Sequence, residues 1–368
     1  MKNTLLALAL VTFLWACQEA PNASTFSSEL DALFQTQLPA DEPGGAVLAL
    51  RGDSILFSGG YGLADLEAGE KITPNTLFNT GSISKTFVAY GILKLRDEGA
   101  LSLEDSLGLY FPDFDNPEIA DKVRIKHLLS HTSGLPDLRK VDEDSLFYLT
   151  AKDQENWEPI KRAQALNFEP GEKFQYSNPA FNGLALIIEQ VAGRKWQDYV
   201  HQEIMLPAGM ENSTITDGPY PEEGVAHAYE KENGQYRECD YGEYPTFAAA
   251  GNGGVWSSVN ELAQYELAIR RGAFLDDTTI AESRRVYQPS NWADSLPPFL
   301  GFSWFIDAPA PPLNVRIVKH TGSQGGFRAF YLSIPEKEIL YVALFNRPVD
   351  VETLMAKGLA LMKKYDCF

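Results

Sequence analysis

The sequence predicts an α+β protein in which one antiparallel sheet is built from both ends of the chain, with a mainly helical region inserted between them. Three observations carry this. Near the N-terminus a helical pattern at 28–38 is followed by strand-like runs at 45–50 and 54–60, which flank the turn Arg51-Gly52-Asp53. Beyond Leu300 four more strand-like runs, 301–306, 315–319, 327–334 and 339–345, are bounded by Gly, Pro or Asn, and an amphipathic pattern over 351–365 closes the chain. Between them, 101–247 holds few strand-like runs but several helical ones, among them 123–130, 181–192 and 196–206. The α/β part is therefore expected at about 28–80 and 295–368 and the mainly helical part at about 81–294, within one unit over 28–368. A ligand cleft belongs at their junction.

Composition supports a folded chain with a large core: 368 residues, 44% hydrophobic and 12% aromatic. With Lys+Arg 31 against Asp+Glu 50 the net charge is −19, which repels nucleic acid and anionic membrane surfaces, and an anionic substrate would need a local positive group to overcome this field. Residues 1–16 read as a signal peptide, with Lys2 ahead of an apolar run to Trp15 that is too short to span a bilayer. Leu14-Trp15-Ala16-Cys17 resembles a bacterial lipobox, which implies lipidation at Cys17. Gln18 is not the aspartate of inner-membrane retention, so the same resemblance implies the outer membrane. A cleaved signal peptide with an incidental cysteine is the alternative, which also gives an exported protein. Small polar residues over 17–27 suit a tether. Cys239 and Cys367 are the other cysteines, too few for a disulfide framework or zinc cluster, and whether they pair is open. No metal or cofactor is expected.

The chemistry centres on Asn79-Thr80-Gly81-Ser82-Ile83-Ser84-Lys85. Apolar residues at Phe87, Val88, Ile92, Leu93 and Leu95, followed by Gly99, predict a buried helix over 85–98. If it opens near Ser82, Lys85 lies one turn on and shares its face. The first-turn N–H groups lack intrahelical partners, so the Ser82 N–H is available to an oxyanion. A serine hydroxyl needs a base, and a desolvated lysine can serve. Ser-x-x-Lys alone is weak, since a chain of this length contains about one by chance.

Two further stretches could meet it. In Tyr176-Ser177-Asn178-Pro179 the proline suits the first helical position, which predicts Asn178 as the N-cap and an extended approach with Tyr176 and Asn178 on one side. Taken alone this is an ordinary cap behind a buried tyrosine. Lys319-His320-Thr321-Gly322-Ser323-Gln324-Gly325-Gly326 follows a strand-like run, and its glycines permit close approach to backbone N–H groups, with Ser323 N–H the simplest second oxyanion donor. Alone it is a glycine-rich turn. His127 and His131 have metal-ligand spacing, but Leu128 stands where a zinc protease needs glutamate and no further His/Cys cluster accompanies them. No Gly-x-Ser-x-Gly elbow is present.

Together, Ser82-x-x-Lys85, Tyr176-x-Asn178 and His320-Thr321-Gly322 resemble the three motifs of the serine β-lactamase and penicillin-binding protein superfamily, in its class C-like branch with D-peptidases and esterases. The likeness extends to His127-Leu128-Leu129-Ser130-His131-Thr132-Ser133-Gly134-Leu135, Pro170-Gly171-Glu172 and Leu206-Pro207-Ala208-Gly209-Met210, and covers about 28–346. It implies the β-lactamase/transpeptidase-like fold and a serine hydrolase that acts through an acyl-enzyme on an ester or amide, in a small-molecule or peptide substrate. By the resemblance Ser82 is the nucleophile, and Lys85 and Tyr176 share the proton transfers, with either as base. Asn178 would contact Lys85 and substrate; His320, Thr321 and Gly322 would bind substrate; Ser82 and Ser323 N–H groups would form the oxyanion hole. A β-lactamase, a D-alanyl-D-alanine carboxypeptidase or D-aminopeptidase, and a non-catalytic binding protein are the alternatives. One departure bears on substrate: members acting on β-lactams or cell-wall peptides usually carry lysine where this chain has His320. An ordinary histidine, with a pKa of about 6.5, would attract carboxylates only as pH falls through that value.

Overall fold

The computed structural model describes residues 23–218, 220–221 and 224–368. Helix α1 (Ala23–Gln37) places Phe26, Leu30 and Phe34 in one buried stripe. It starts earlier than the 28–38 pattern, so residues 23–27 are helix and not tether: Phe26 extends the apolar stripe by one turn. The signal peptide, Cys17 and the rest of the tether lie outside the described residues.

Six strands form the main sheet: β1 (Gly45–Arg51), β2 (Ser54–Tyr61), β3 (Phe305–Asp307), β4 (Ile317–Gln324), β5 (Phe327–Ile334) and β6 (Ile339–Phe345). Their spatial order is β2-β1-β6-β5-β4-β3 with every pairing antiparallel, so the two ends of the chain meet at β1 and β6, from Gly45↔Phe345 to Arg51↔Ile339. Both faces of β1 and β6 are covered, which is why 45–50 and 339–345 read as continuous apolar runs. Leu48, Leu50, Val342, Leu344 and Tyr331 point to one core; Val47, Ala49, Tyr341, Phe345 and Phe330 point to the other. The second core is closed by α1 and the C-terminal helix (Val351–Lys364). Cys239 belongs to the first core and Cys367 to the second; both are free thiols, so they do not pair.

Two edges differ from the sequence expectation. The 301–306 run yields only the three residues of β3, because Ser303 takes a φ of 69° and Gly301 N–H bonds Trp304 O at 2.8 Å, a tight turn in place of a strand. In exchange β4 runs on to Gln324, so the His320-Thr321-Gly322 motif lies inside a strand and not after one.

The helical part contains α2 (Ser84–Asp97), α3 (Ile125–Leu129), α4 (Asp153–Trp157), α5 (Asn178–Ala192), α6 (Trp196–Val200) and α7 (Val259–Arg270). It also holds a hairpin, Tyr229–Glu232 with Gln235–Glu238, turned by Asn233-Gly234 at φ 50° and 85°. Buried Glu266 on α7 accepts from Arg284, Tyr331 and Ser333, tying this part to the sheet, and the Arg284 charge holds its carboxyl at about 2 despite burial.

Candidate active site

Ser82 sits in a single 3-10 turn, Gly81–Ile83, that feeds directly into α2, a helix buried on nearly all sides. Two long-range bonds and a local one fix this turn: Thr80 N–H donates to Val255 O at 2.9 Å, Val255 N–H donates to Ser84 Oγ at 3.0 Å, and Gly81 N–H donates to the neighbouring Asn79 Oδ1 at 2.8 Å. On its other side lies β4. Strand β3 pairs only with Ile317, Val318 and Lys319, so from His320 onward that edge of β4 is free to face the turn. The approach is so close that a Cβ at Gly322 would stand 2.1 Å from Thr80 O, and one at Gly81 2.7 Å from Ser323 N. Two glycines thus bring the Ser323 backbone nitrogen against the turn that carries Ser82.

Lys85 Nζ lies 2.9 Å from Ser82 Oγ and donates to Asn252 O at 2.5 Å. The residue is fully buried, and burial together with the nearby Arg139 charge pushes its pKa well below the ordinary lysine value. Arg139 is itself buried, paired with Asp137 at 2.7 Å and donating to Asn156 Oδ1 at 2.6 Å. Tyr176 lines the same cleft as Ser82, with its ring 5.3 Å from Lys85 Nζ, and burial raises the pKa of its phenol, so it keeps its proton. Ser82, Lys85 and Tyr176 therefore meet.

The other predicted residues line the same cleft, about 370 Å³: Asn178, His320, Thr321, Gly322 and Ser323. Two expectations need correction. The N-cap of α5 is Ser177, whose extended backbone lets Oγ accept Ala180 N–H at 3.3 Å; Asn178 is the first helical residue and its side chain is left for the cleft. Asn178 does not bond Lys85: its Oδ1 has no hydrogen-bond partner, while Lys85 Nζ is taken up by Ser82 Oγ and Asn252 O.

His320 is also not an ordinary histidine. It is 1% exposed and edge-on to Phe305 at 5.3 Å; burial, then the Lys85 charge, pulls its pKa down to about 3. Its Nδ1 lies 2.7 Å from Thr321 O and so carries the proton, leaving Nε2 as an unpartnered acceptor.

Several contributors had no local signal. His131, which has the spacing of a metal ligand, holds the Tyr176 segment: Gln175 N–H donates to its carbonyl at 2.9 Å, Ser177 N–H donates to its Nδ1 at 3.0 Å, and the imidazole stacks on the Tyr176 ring with centroids 4.3 Å apart. His127 Nδ1 accepts Arg124 N–H at 3.1 Å at the start of α3. Asn252 and Arg139 are far from the motifs in sequence; the run Gly251-Asn252-Gly253-Gly254 was the one sign that a backbone approaches something closely there.

A serine hydroxyl beside a buried amine, on an antiparallel sheet that brings both chain ends together, is the arrangement of a serine hydrolase of the β-lactamase type. The chain belongs to the Beta-lactamase family, which it matches over residues 30–361. It is 28% identical over 346 residues to penicillin-binding protein 4* of Bacillus subtilis (strain 168), covering 88% of this chain and 72% of that protein. Identity to the D-aminopeptidase of Gluconobacter oxydans (strain 621H) is 26%, over 92% of this chain but 62% of the longer relative. Identity to esterase EstB of Burkholderia gladioli is 27%, over 82% and 85%. Among solved structures, the octameric penicillin-binding protein homologue from Pyrococcus abyssi superposes with a TM-score of 0.76 at 25% identity, over 93% of this chain and 77% of that one.

Proposed function

We propose that this protein hydrolyses a neutral ester or amide through an acyl-enzyme on Ser82, with Lys85 as the base. The observation that carries the reading is the 2.9 Å contact between Ser82 Oγ and an amine whose burial favours its neutral form. In the first step the Ser82 hydroxyl proton passes to Lys85 Nζ as Oγ bonds the substrate carbonyl carbon. The Ser82 and Ser323 N–H groups receive the negative oxygen. Collapse breaks the bond to the leaving group, which takes its proton from Tyr176, and Tyr176 is reprotonated from the Lys85 ammonium. Tyr176 suits the donor role because its proton is tightly held until a stronger base develops beside it. Water then attacks the acyl carbon as Lys85 accepts its proton, and collapse breaks the bond to Ser82 Oγ, which takes that proton back from the Lys85 ammonium as the acid product leaves.

Substrate preference follows from the cleft walls. Tyr148, Tyr176 and Phe305 supply aromatic surface, and buried His320 is a neutral acceptor where a cation would be needed to hold a carboxylate. Glu230 and Arg328 also line the cleft and offset one another in charge. A β-lactam or carboxylate-ended peptide would have to use Arg328, which keeps the penicillin-binding and D-peptidase activities named for relatives as the second reading. Export by the 1–16 signal peptide, with a lipid anchor at Cys17 on the periplasmic side of the outer membrane, fits the lipobox-like Leu14-Trp15-Ala16-Cys17.

The test is intact-mass detection of an adduct after treatment with a fluorophosphonate, with Ser82→Ala as control, followed by competition with neutral esters, D-amino acid amides and penicillin. An adduct that survives in Ser82→Ala removes the nucleophile assignment; protection by penicillin alone moves the assignment to the second reading.

A further inference from the structure

The mechanism leaves one buried acid unused. Asp153, the first residue of α4, is 6% exposed and receives three N–H donors: Asn182 Nδ2 and Gly251 N–H at Oδ1, each at 2.8 Å, and Trp196 Nε1 at Oδ2, at 2.7 Å. Asn182 Nδ2 reaches Asn252 Oδ1 at 3.2 Å as well, so the acid grips the 251–252 segment both through the Gly251 backbone and through the Asn252 side chain. The same segment is wedged against α5, where a Cβ on Gly251 would stand 2.6 Å from Phe181 O. Asn252 O is the acceptor that holds Lys85 Nζ at 2.5 Å.

We propose that the Asp153 carboxylate is a positioning residue for Lys85, setting the Asn252 carbonyl that holds the amine beside Ser82, and that protonation of Asp153 releases this hold. The inference rests on Lys85 being the base. A carboxylate offers only acceptors and here meets only donors, whereas a neutral acid would have to turn an O–H toward one of those N–H groups. Burial, together with nearby Glu189, lifts the Asp153 pKa to about 7 against three stabilising hydrogen bonds, so the change of form falls where the enzyme is assayed. The charged groups around it are Lys152 paired with Asp217 at 2.8 Å, Glu155 on its own helix, Glu189 on α5 paired with Lys195 at 3.2 Å, and Asp198 on α6. A cavity of about 540 Å³ lined by Asp153, Glu189, Lys195 and Asp217 gives the carboxyl a route for proton exchange. Asp153 thus acts on the reaction without touching substrate.

The experiment measures the fluorophosphonate labelling rate of Ser82, and kcat and KM for a neutral ester, from pH 5 to 9. The variants are Asp153→Asn, Lys85→Ala, the double variant and Trp196→Phe. Asp153→Asn is expected to lower kcat and labelling by about 10-fold or more, the scale of a small misplacement of a catalytic group, with KM unchanged. It should have no further effect in the Lys85→Ala background. Trp196→Phe keeps an aromatic side chain but removes one donor to the carboxylate, so the acid limb of kcat should move to higher pH. A folded Asp153→Asn with wild-type rates overturns the proposal, as does an unmoved acid limb in Trp196→Phe, or an Asp153→Asn loss that multiplies fully with Lys85→Ala. If instead Lys85→Ala itself labels at the wild-type rate, the base assignment has failed, and Asp153 with it.

Discussion

The state of His320 can be read from a ratio of two activities, with pH as the perturbation. An accessible histidine titrating near 6.5 would be about 97% protonated at pH 5 and about 3% at pH 8. It would then draw carboxylate substrates far better in acid. The structure predicts otherwise: with its pKa drawn down to about 3 by burial and by the Lys85 charge, His320 is only about 1% protonated at pH 5. Charging it at this position costs on the order of 5 kcal/mol relative to an exposed ring. The assay is kcat/KM for one neutral ester and one carboxylate-bearing β-lactam between pH 5 and 8. Acid losses that come from Lys85 or Asp153 affect both substrates and cancel in the ratio, which should stay constant to within about twofold, a shift of under 0.5 kcal/mol. A tenfold rise of the β-lactam to ester ratio between pH 8 and pH 5 would refute the reasoning, because it requires an imidazolium that the buried site does not favour.

The remaining predictions concern the base pair, the strand approach and the anchor. Lys85→Ala and Tyr176→Phe should each lower the labelling rate by about 10² or more, and together by little beyond the larger loss, since both lie on one proton path; full multiplication would mean independent roles. Gly322→Ala should reduce kcat by about 10² while the protein stays folded, because its Cβ would stand 2.1 Å from Thr80 O and β4 must back away from the nucleophile turn by about 1 Å. A Gly322→Ala enzyme with normal kcat and unchanged Tm would show that the close approach is dispensable. Cys17→Ser should shift the protein from the membrane fraction to the soluble periplasm, as no helix among the described residues is long and apolar enough to cross a membrane. Unchanged fractionation would favour a simple cleaved signal peptide.

The sequence by itself determined the parts whose physics is local. Strands buried on both faces are apolar almost throughout, so β1 up to Leu50 and the whole of β6 were legible as uninterrupted runs at opposite ends of the chain. The spacing of Ser82 and Lys85 already placed both on one turn, and Pro179 already marked the start of α5. Other local features were present but weak: Asn233-Gly234 signals a hairpin whose flanking residues are too charged to read as strands. What only the tertiary structure decided depends on groups distant in the chain. Lys85 is held by a carbonyl at position 252, His131 braces Tyr176 from 45 residues earlier, and Asp153 reaches the same site through Asn182 and Gly251. The charge states of Lys85 and His320 were equally out of reach, because a pKa is set by the solvent a group loses and the charges it meets, and neither is written in the neighbouring residues.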